Sequence, residues 1–174
     1  MNALDSYNGA SRTDFRTSFD RSKHWNPLIK LIVGQHLLRD STLEEDTKEA
    51  TDLIVLKSDG IRVACRVREY GYANTFPFDV TITCRRESGA KCEWDKMVLG
   101  DWADWFFYGH GSQTRSGISP WYLIDLHKAR PVLRSRRWPE LGPNKDEPGR
   151  RCWFHAVDIR LPAIKASLIS SNCL

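Results

Sequence analysis

Charged side chains recur at strand spacing in the middle of this sequence. In Arg62-Val63-Ala64-Cys65-Arg66-Val67-Arg68, the residues Arg62, Arg66 and Arg68 share one face and Val63, Cys65 and Val67 the other. The run Asp79-Val80-Thr81-Ile82-Thr83-Cys84-Arg85 repeats the pattern, with Asp79, Thr81, Thr83 and Arg85 on the polar face. Upstream, Asp52 opens the apolar run Leu53–Leu56. Converging carboxylates hold Mg2+, and a neighbouring cation stabilises charge on a phosphate, which is the chemistry of phosphodiester cleavage. Asp52 and Asp79 are the candidate metal ligands. Arg66, Arg68, Glu93 and Lys96 complete the candidate catalytic set with Asp52. The same arginines could equally grip phosphate without cutting it, or form a solvated face paired with Asp79 and the acidic run Glu44–Glu49. Glu93 and Lys96, three residues apart on an expected helix, also suit a local ion pair.

A second basic feature lies downstream. The stretch Arg130-Pro131-Val132-Leu133-Arg134-Ser135-Arg136-Arg137-Trp138 mixes cations with an aromatic ring, a combination suited to phosphate contact and base stacking. Arg134, Arg136 and Arg137 join Arg62 and Arg85 as candidate nucleic-acid contacts. A solubilising loop anchored by Trp138 is the plainer alternative. Net charge is only +4, so the distribution of cations argues for a polyanionic partner more than their number does. His110, between Gly109 and Gly111, is an isolated candidate base.

The elements that must carry these residues follow from periodicity. With 174 residues, the chain suits one α/β (α+β) domain over 23–174, preceded by an arm at 1–22. Asn26-Pro27 predicts a helix start, Asn26 as cap, with an apolar stripe running towards Arg39. Strands are expected at 52–56, 61–68 and 78–85. Asp59-Gly60 signals a hairpin between the first two, so the three together predict an antiparallel meander with one apolar and one polar face. A helix over 90–103 carries Trp94, Met97, Val98 and Trp102. Further strands are expected at 104–110, 121–126 and 154–159, a long basic loop over 130–151 and a closing helix over 161–170. The continuous run Trp105-Phe106-Phe107-Tyr108 reads as a strand buried on both faces.

Five cysteines without a C-x-x-C pair read as reduced thiols; a zinc site using Cys84 and Cys92 lacks the usual ligand spacing. No run is long and apolar enough for a membrane span, and the polar N-terminal residues lack the apolar core of a secretory signal, so a cytoplasmic location is expected.

The order helix, acidic turn, Thr51-Asp52-Leu53, hairpin, Arg66-x-Arg68, Asp79-Val-Thr-Ile and Glu93-x-x-Lys96 resembles phage and prophage proteins of the PD-(D/E)xK nuclease-like superfamily. The resemblance covers roughly residues 40–110, and Trp153–Pro162 is similar to the last strand and turn of such proteins. It implies a restriction-endonuclease-like fold, a central mixed sheet flanked by helices. It also implies Mg2+-dependent nuclease chemistry, DNA as partner, and Asp52 as the strand-opening aspartate; a homodimer is compatible. The second strand reads Ala64-Cys65-Arg66-Val67-Arg68, with no carboxylate where the family's acid-x-Lys pair has its acid, so Asp79 or Glu93 would have to supply the acid and Lys96 the lysine. The alternative is a catalytically inactive interaction protein whose arginine-rich sheet face binds an acidic protein partner.

Overall fold

The structure, a computed structural model, describes residues 23–40, 53–55, 60–143 and 151–173. The candidate residue Asp52, the acidic run 44–49 and the Asp59 side of the expected hairpin lie outside these residues.

Helix α1 spans Asn26–Gly34, with Pro27 in its first turn, where a missing N–H costs nothing. Its cap is Trp25, one residue before the expected Asn26. The helix stops at Gly34, short of Arg39: His36 and Leu37 donate to the carbonyls of Val33 and Gly34, tightening the last turn. Strand β1 (Leu38–Asp40) follows, and pairs antiparallel with β2 (Leu53–Val55). Next come β3 (Val63–Arg68), the short helix α2 (Tyr72–Thr75) and β4 (Asp79–Arg86). A π-helical segment, Trp94–Leu99, replaces most of the expected 90–103 helix, and leaves Trp102 58% exposed rather than in the core. The chain continues through β5 (Trp105–Gly111), β6 (Ile118–Asp125), α3 (Leu126–Ser135), β7 (Glu140–Leu141), β8 (Cys152–Asp158), α4 (Pro162–Lys165) and β9 (Leu168–Ser171).

The mixed α+β character is as expected, but the meander is not formed. Strand β2 pairs with β1, β3 pairs parallel with β5, and β4 pairs antiparallel with β8. Two larger sheets result, a mixed one in the order β3-β5-β6-β9 and an antiparallel one in the order β4-β8-β7. Alternation gives the faces of β3 and of β4 as far as Thr83, where the β4–β8 register shifts, but a period of two says nothing about which strand lies alongside.

Helix α3 is a second departure from the expected loop. Asp125 caps it, its carboxylate accepting the backbone N–H groups of His127 and Lys128. Leu126, Ala129 and Leu133 are buried along one side. Pro131 sits inside the helix, where it removes one i→i−4 hydrogen bond, and the buried side offsets that loss. The expected closing helix shrinks to α4, and β9 takes its end into the mixed sheet.

Both faces of the mixed sheet are covered. Trp25, Ile29 and Val33 of the α1 region pack on Phe107, Trp121 and Leu123. On the other face, Phe106, Tyr122 and Ile124 meet Val80, Ile82 and Val157 of the second sheet together with Leu126, Ala129 and Leu133 of α3. Burial on both faces explains the unbroken aromatic run of β5, each such ring contributing roughly 1.5–3 kcal/mol. The five cysteines are free thiols. Among the described residues, no helix is long and apolar enough to cross a membrane.

Candidate nucleic-acid interface

The parallel register of β3 and β5 sets Arg66 beside Tyr108 and Arg68 beside His110 on one face. That face does not open to solvent as an arginine-rich surface: the outer edge of β4 lies against it. Arg66 donates to the Thr81 carbonyl at 3.4 Å and to the Thr83 hydroxyl at 2.8 Å. It also forms an ion pair with Glu93 at 2.5 Å. The second carboxylate oxygen of Glu93 accepts the Thr83 backbone N–H at 2.9 Å. Arg68 donates to the Tyr108 hydroxyl at 3.2 Å and to the Thr81 hydroxyl. Its guanidinium lies 5.5 Å from the Tyr72 ring and 5.7 Å from the Phe154 ring. Two cations expected to face a ligand are thus spent joining the sheets.

Of the two candidate metal ligands, only Asp79 lies among the described residues. Asp79 stands opposite Asp158 across the β4–β8 pair, and Asp158 is itself held by Arg160 at 2.8 Å. Burial, and then the Asp158 charge, push the Asp79 carboxyl up, against the pull of Arg160. Glu93 belongs to Arg66. Among the described residues, no group of three or more His, Cys, Asp or Glu side chains could hold a metal ion. Asp79, the described member of the expected metal pair, and Cys84 and Cys92 of the zinc alternative belong to no such group.

The remaining candidates divide. Arg62 is tied to Asp104, through its backbone N–H at 2.8 Å and its side chain at 3.2 Å. Arg85 pairs with Glu140 at 2.5 Å and lies 3.5 Å above the Trp153 ring. The Lys96 ammonium sits 5.9 Å from the exposed Trp102 ring. Arg130, within the basic stretch, is only 4% exposed and serves the core, donating to the Met97 and Ala103 carbonyls and pairing with Asp101 at 2.9 Å.

Arg134, Arg136 and Arg137 do come together. The chain leaves α3 at Ser135 and turns back, closed by the Trp138 indole N–H donating to the Leu133 carbonyl at 2.9 Å. The result is an open groove of roughly 860 Å3, within the size range of ligand sites, between this turn, the π-helical segment and β8. Arg134 is fixed on its wall by the Val98 carbonyl at 2.7 Å and Asp101 at 2.8 Å. Asp101 adopts a positive φ of 53°, a conformation that non-glycine residues rarely hold, and from there it bridges Arg130 and Arg134. Arg136 lies 5.1 Å from the Trp138 ring. Arg136 and Arg137 are exposed and form no ion pair among the described residues.

Two groove residues escaped the sequence reading. Trp94 packs partly on the core, as its stripe predicts, but also reaches the groove, and His155 joins it from a strand. They meet edge to face, ring centroids 4.7 Å apart. The β4–β8 register, which sequence alone does not reveal, carries His155 to Ile82, and the β7–β8 register carries it to Glu140. A histidine two positions before the inward-facing Val157, and so on the same face of its strand, is the only local signal. Comparisons with known protein families, with curated proteins and with solved structures give no match to this chain.

Proposed function

We propose that the protein binds nucleic acid, with DNA the favoured polymer, through the groove between α3 and β8. The observation that carries this reading is the convergence there of Arg134, Arg136 and Arg137 with Trp94 and Trp138. Exposed guanidiniums supply phosphate contacts and release counterions, and aromatic faces supply stacking. The proposal is for binding rather than hydrolysis, because Glu93 and Arg66 satisfy each other and Asp79 has no acidic cluster around it among the described residues. The restriction-endonuclease-like reading of the fold travels with this proposal. A mixed sheet with a parallel pair, β3 and β5, and a helix on one face supports it. Docking of an acidic protein on an arginine-rich sheet face loses its support, since the Arg66 and Arg68 donors are engaged between the sheets.

Fluorescence anisotropy with labelled single-stranded and duplex oligonucleotides tests the proposal. At low salt at least one should bind, with affinity falling log-linearly as salt rises. Failure of both to bind would remove the nucleic-acid reading.

A further inference from the structure

We infer that the groove takes an unpaired base of a single strand, with Trp94 as the stacking surface and His155 reading the base edge; this rests on the nucleic-acid reading above. Three features lead there. The first is ring geometry. Trp94 and His155 meet at an interplanar angle of 75° with centroids 4.7 Å apart. An edge-to-face pair consumes one face of one ring, so the contact itself leaves aromatic face over for a further flat partner. Trp138 is differently committed. It is 9% exposed, its indole N–H is bonded to Leu133, and Arg136 lies against it. Trp138 therefore holds the wall and places the cation, which leaves stacking to Trp94.

The second feature is the proton on His155. Its Nδ1 lies 3.2 Å from the Pro139 carbonyl oxygen, which can only accept. The neutral ring therefore carries its proton on Nδ1, and Nε2 keeps a lone pair. An acceptor in a basic groove repels phosphate less than a carboxylate would, and it suits an N–H donor. Each of the four bases carries such a donor on its Watson–Crick edge. In a duplex that donor is committed to the complementary base; in a single strand it is free.

The third feature is the placement of charge. Arg136 and Arg137, both exposed, follow the end of α3, while the aromatic pair comes from the π-helical segment and β8. Phosphates on the arginine side and a base on the aromatic side match a strand whose bases are splayed from its backbone. A duplex presents phosphates but hides its base faces within the stack.

The test compares three probes by anisotropy or competition: a fluorescein-labelled single strand, its duplex with the complement, and inorganic polyphosphate as a charge-only competitor. The single strand should bind at least about tenfold tighter than the duplex, stacking on one ring being sufficient for that factor. Trp94→Ala should weaken single-strand binding by about tenfold and leave polyphosphate competition unchanged, and Trp94→Phe, which retains a ring, should restore most of the loss. His155→Phe keeps the ring contact but removes the acceptor, and should weaken the single strand more than the duplex. Equal or tighter duplex binding would overturn the inference while leaving the nucleic-acid reading intact. So would polyphosphate competing as well as unlabelled single strand. Absence of binding to either strand form would instead overturn the nucleic-acid reading itself. Trp94 packs partly on the core. If a Trp94 variant fails to fold, as its urea midpoint would show, the wild-type preference between single strand and duplex decides the matter alone.

Discussion

Arg66 of β3 and Glu93, the residue before the π-helical segment, form an ion pair at 2.5 Å, their side chains 19% and 26% exposed. Each has other partners: Arg66 reaches Thr81 and Thr83, and Glu93 accepts the Thr83 backbone N–H. Removing one member strands a largely desolvated charge. A fully buried pair broken in this way costs about 3–5 kcal/mol, and solvent screening at this partial exposure reduces that to about 2 kcal/mol for Glu93→Ala. Urea unfolding measures it. Replacing both members together, Arg66→Met with Glu93→Leu, should recover most of the loss, because neither charge is then left alone. A Glu93→Ala variant as stable as wild type would show that stability does not depend on the pair.

Asp104 should make the protein sensitive to acid. The Arg62 side chain, the Arg62 backbone N–H and, more weakly, His127 hold its carboxyl well below the usual carboxylate range. The folded pKa lies under the unfolded one, so the unfolded chain binds more protons in acid, and stability rises with pH there. This contribution is complete above about pH 4, the ordinary range for aspartate, and is lost as pH falls towards the depressed value. Asp104→Asn should therefore be less stable than wild type at pH 7, with the gap narrower at pH 3. Urea midpoints at the two pH values measure this, and a gap independent of pH would contradict it.

His110 adds a second acid-sensitive step at higher pH. It is 2% exposed, and neither ring nitrogen has a hydrogen-bond partner among the described residues. Burial, and then the Arg68 charge, push its pKa down. Below about pH 6.5 the unfolded chain takes up a proton that the folded ring refuses, so stability falls as pH drops through that range. His110→Phe keeps a flat ring beside Tyr108 and removes the buried polar atoms. It should be more stable than wild type at pH 5, by about 1–2 kcal/mol, with a smaller gain at pH 8. A variant that unfolds with the wild-type pH dependence would show that His110 does not titrate in this way.

The faces of the strands were largely legible in the sequence, and their neighbours were not. Arg66 and Arg68 share a face, as do Thr81 and Thr83, but an irregularity after Thr83 turns Arg85 to the opposite side; the unbroken aromatic run of β5 is buried on both sides. What misled was the charge on Arg66 and Arg68, which reads as a surface feature. Their long side chains instead thread between the sheets to Thr81, Thr83, Glu93 and Tyr108. Helix α3 was hidden by Pro131 and by cations at inward positions, although Asp125 and the spacing Leu126, Ala129, Leu133 were its signals. Arg130 shows why composition failed there: a guanidinium that satisfies two carbonyls and a carboxylate packs in a core. Arg134, Arg136, Arg137 and Trp138 of the basic stretch do line one groove. Their partners, Trp94 and His155, come from distant segments joined by the fold alone.

The groove is the centre of the account, and the salt dependence of binding tests it most directly. Arg136 and Arg137 carry the exposed charge, while Arg134 is partly neutralised by Asp101. Each phosphate contact on a single strand contributes about 0.7 to the slope of log affinity against log salt. The double variant R136A/R137A should bind a single-stranded oligonucleotide more weakly at low salt, with a slope shallower by about 1.4 and an unchanged urea midpoint. A double variant with the wild-type affinity and slope would contradict the account, because the nucleic acid would then lie elsewhere on the protein.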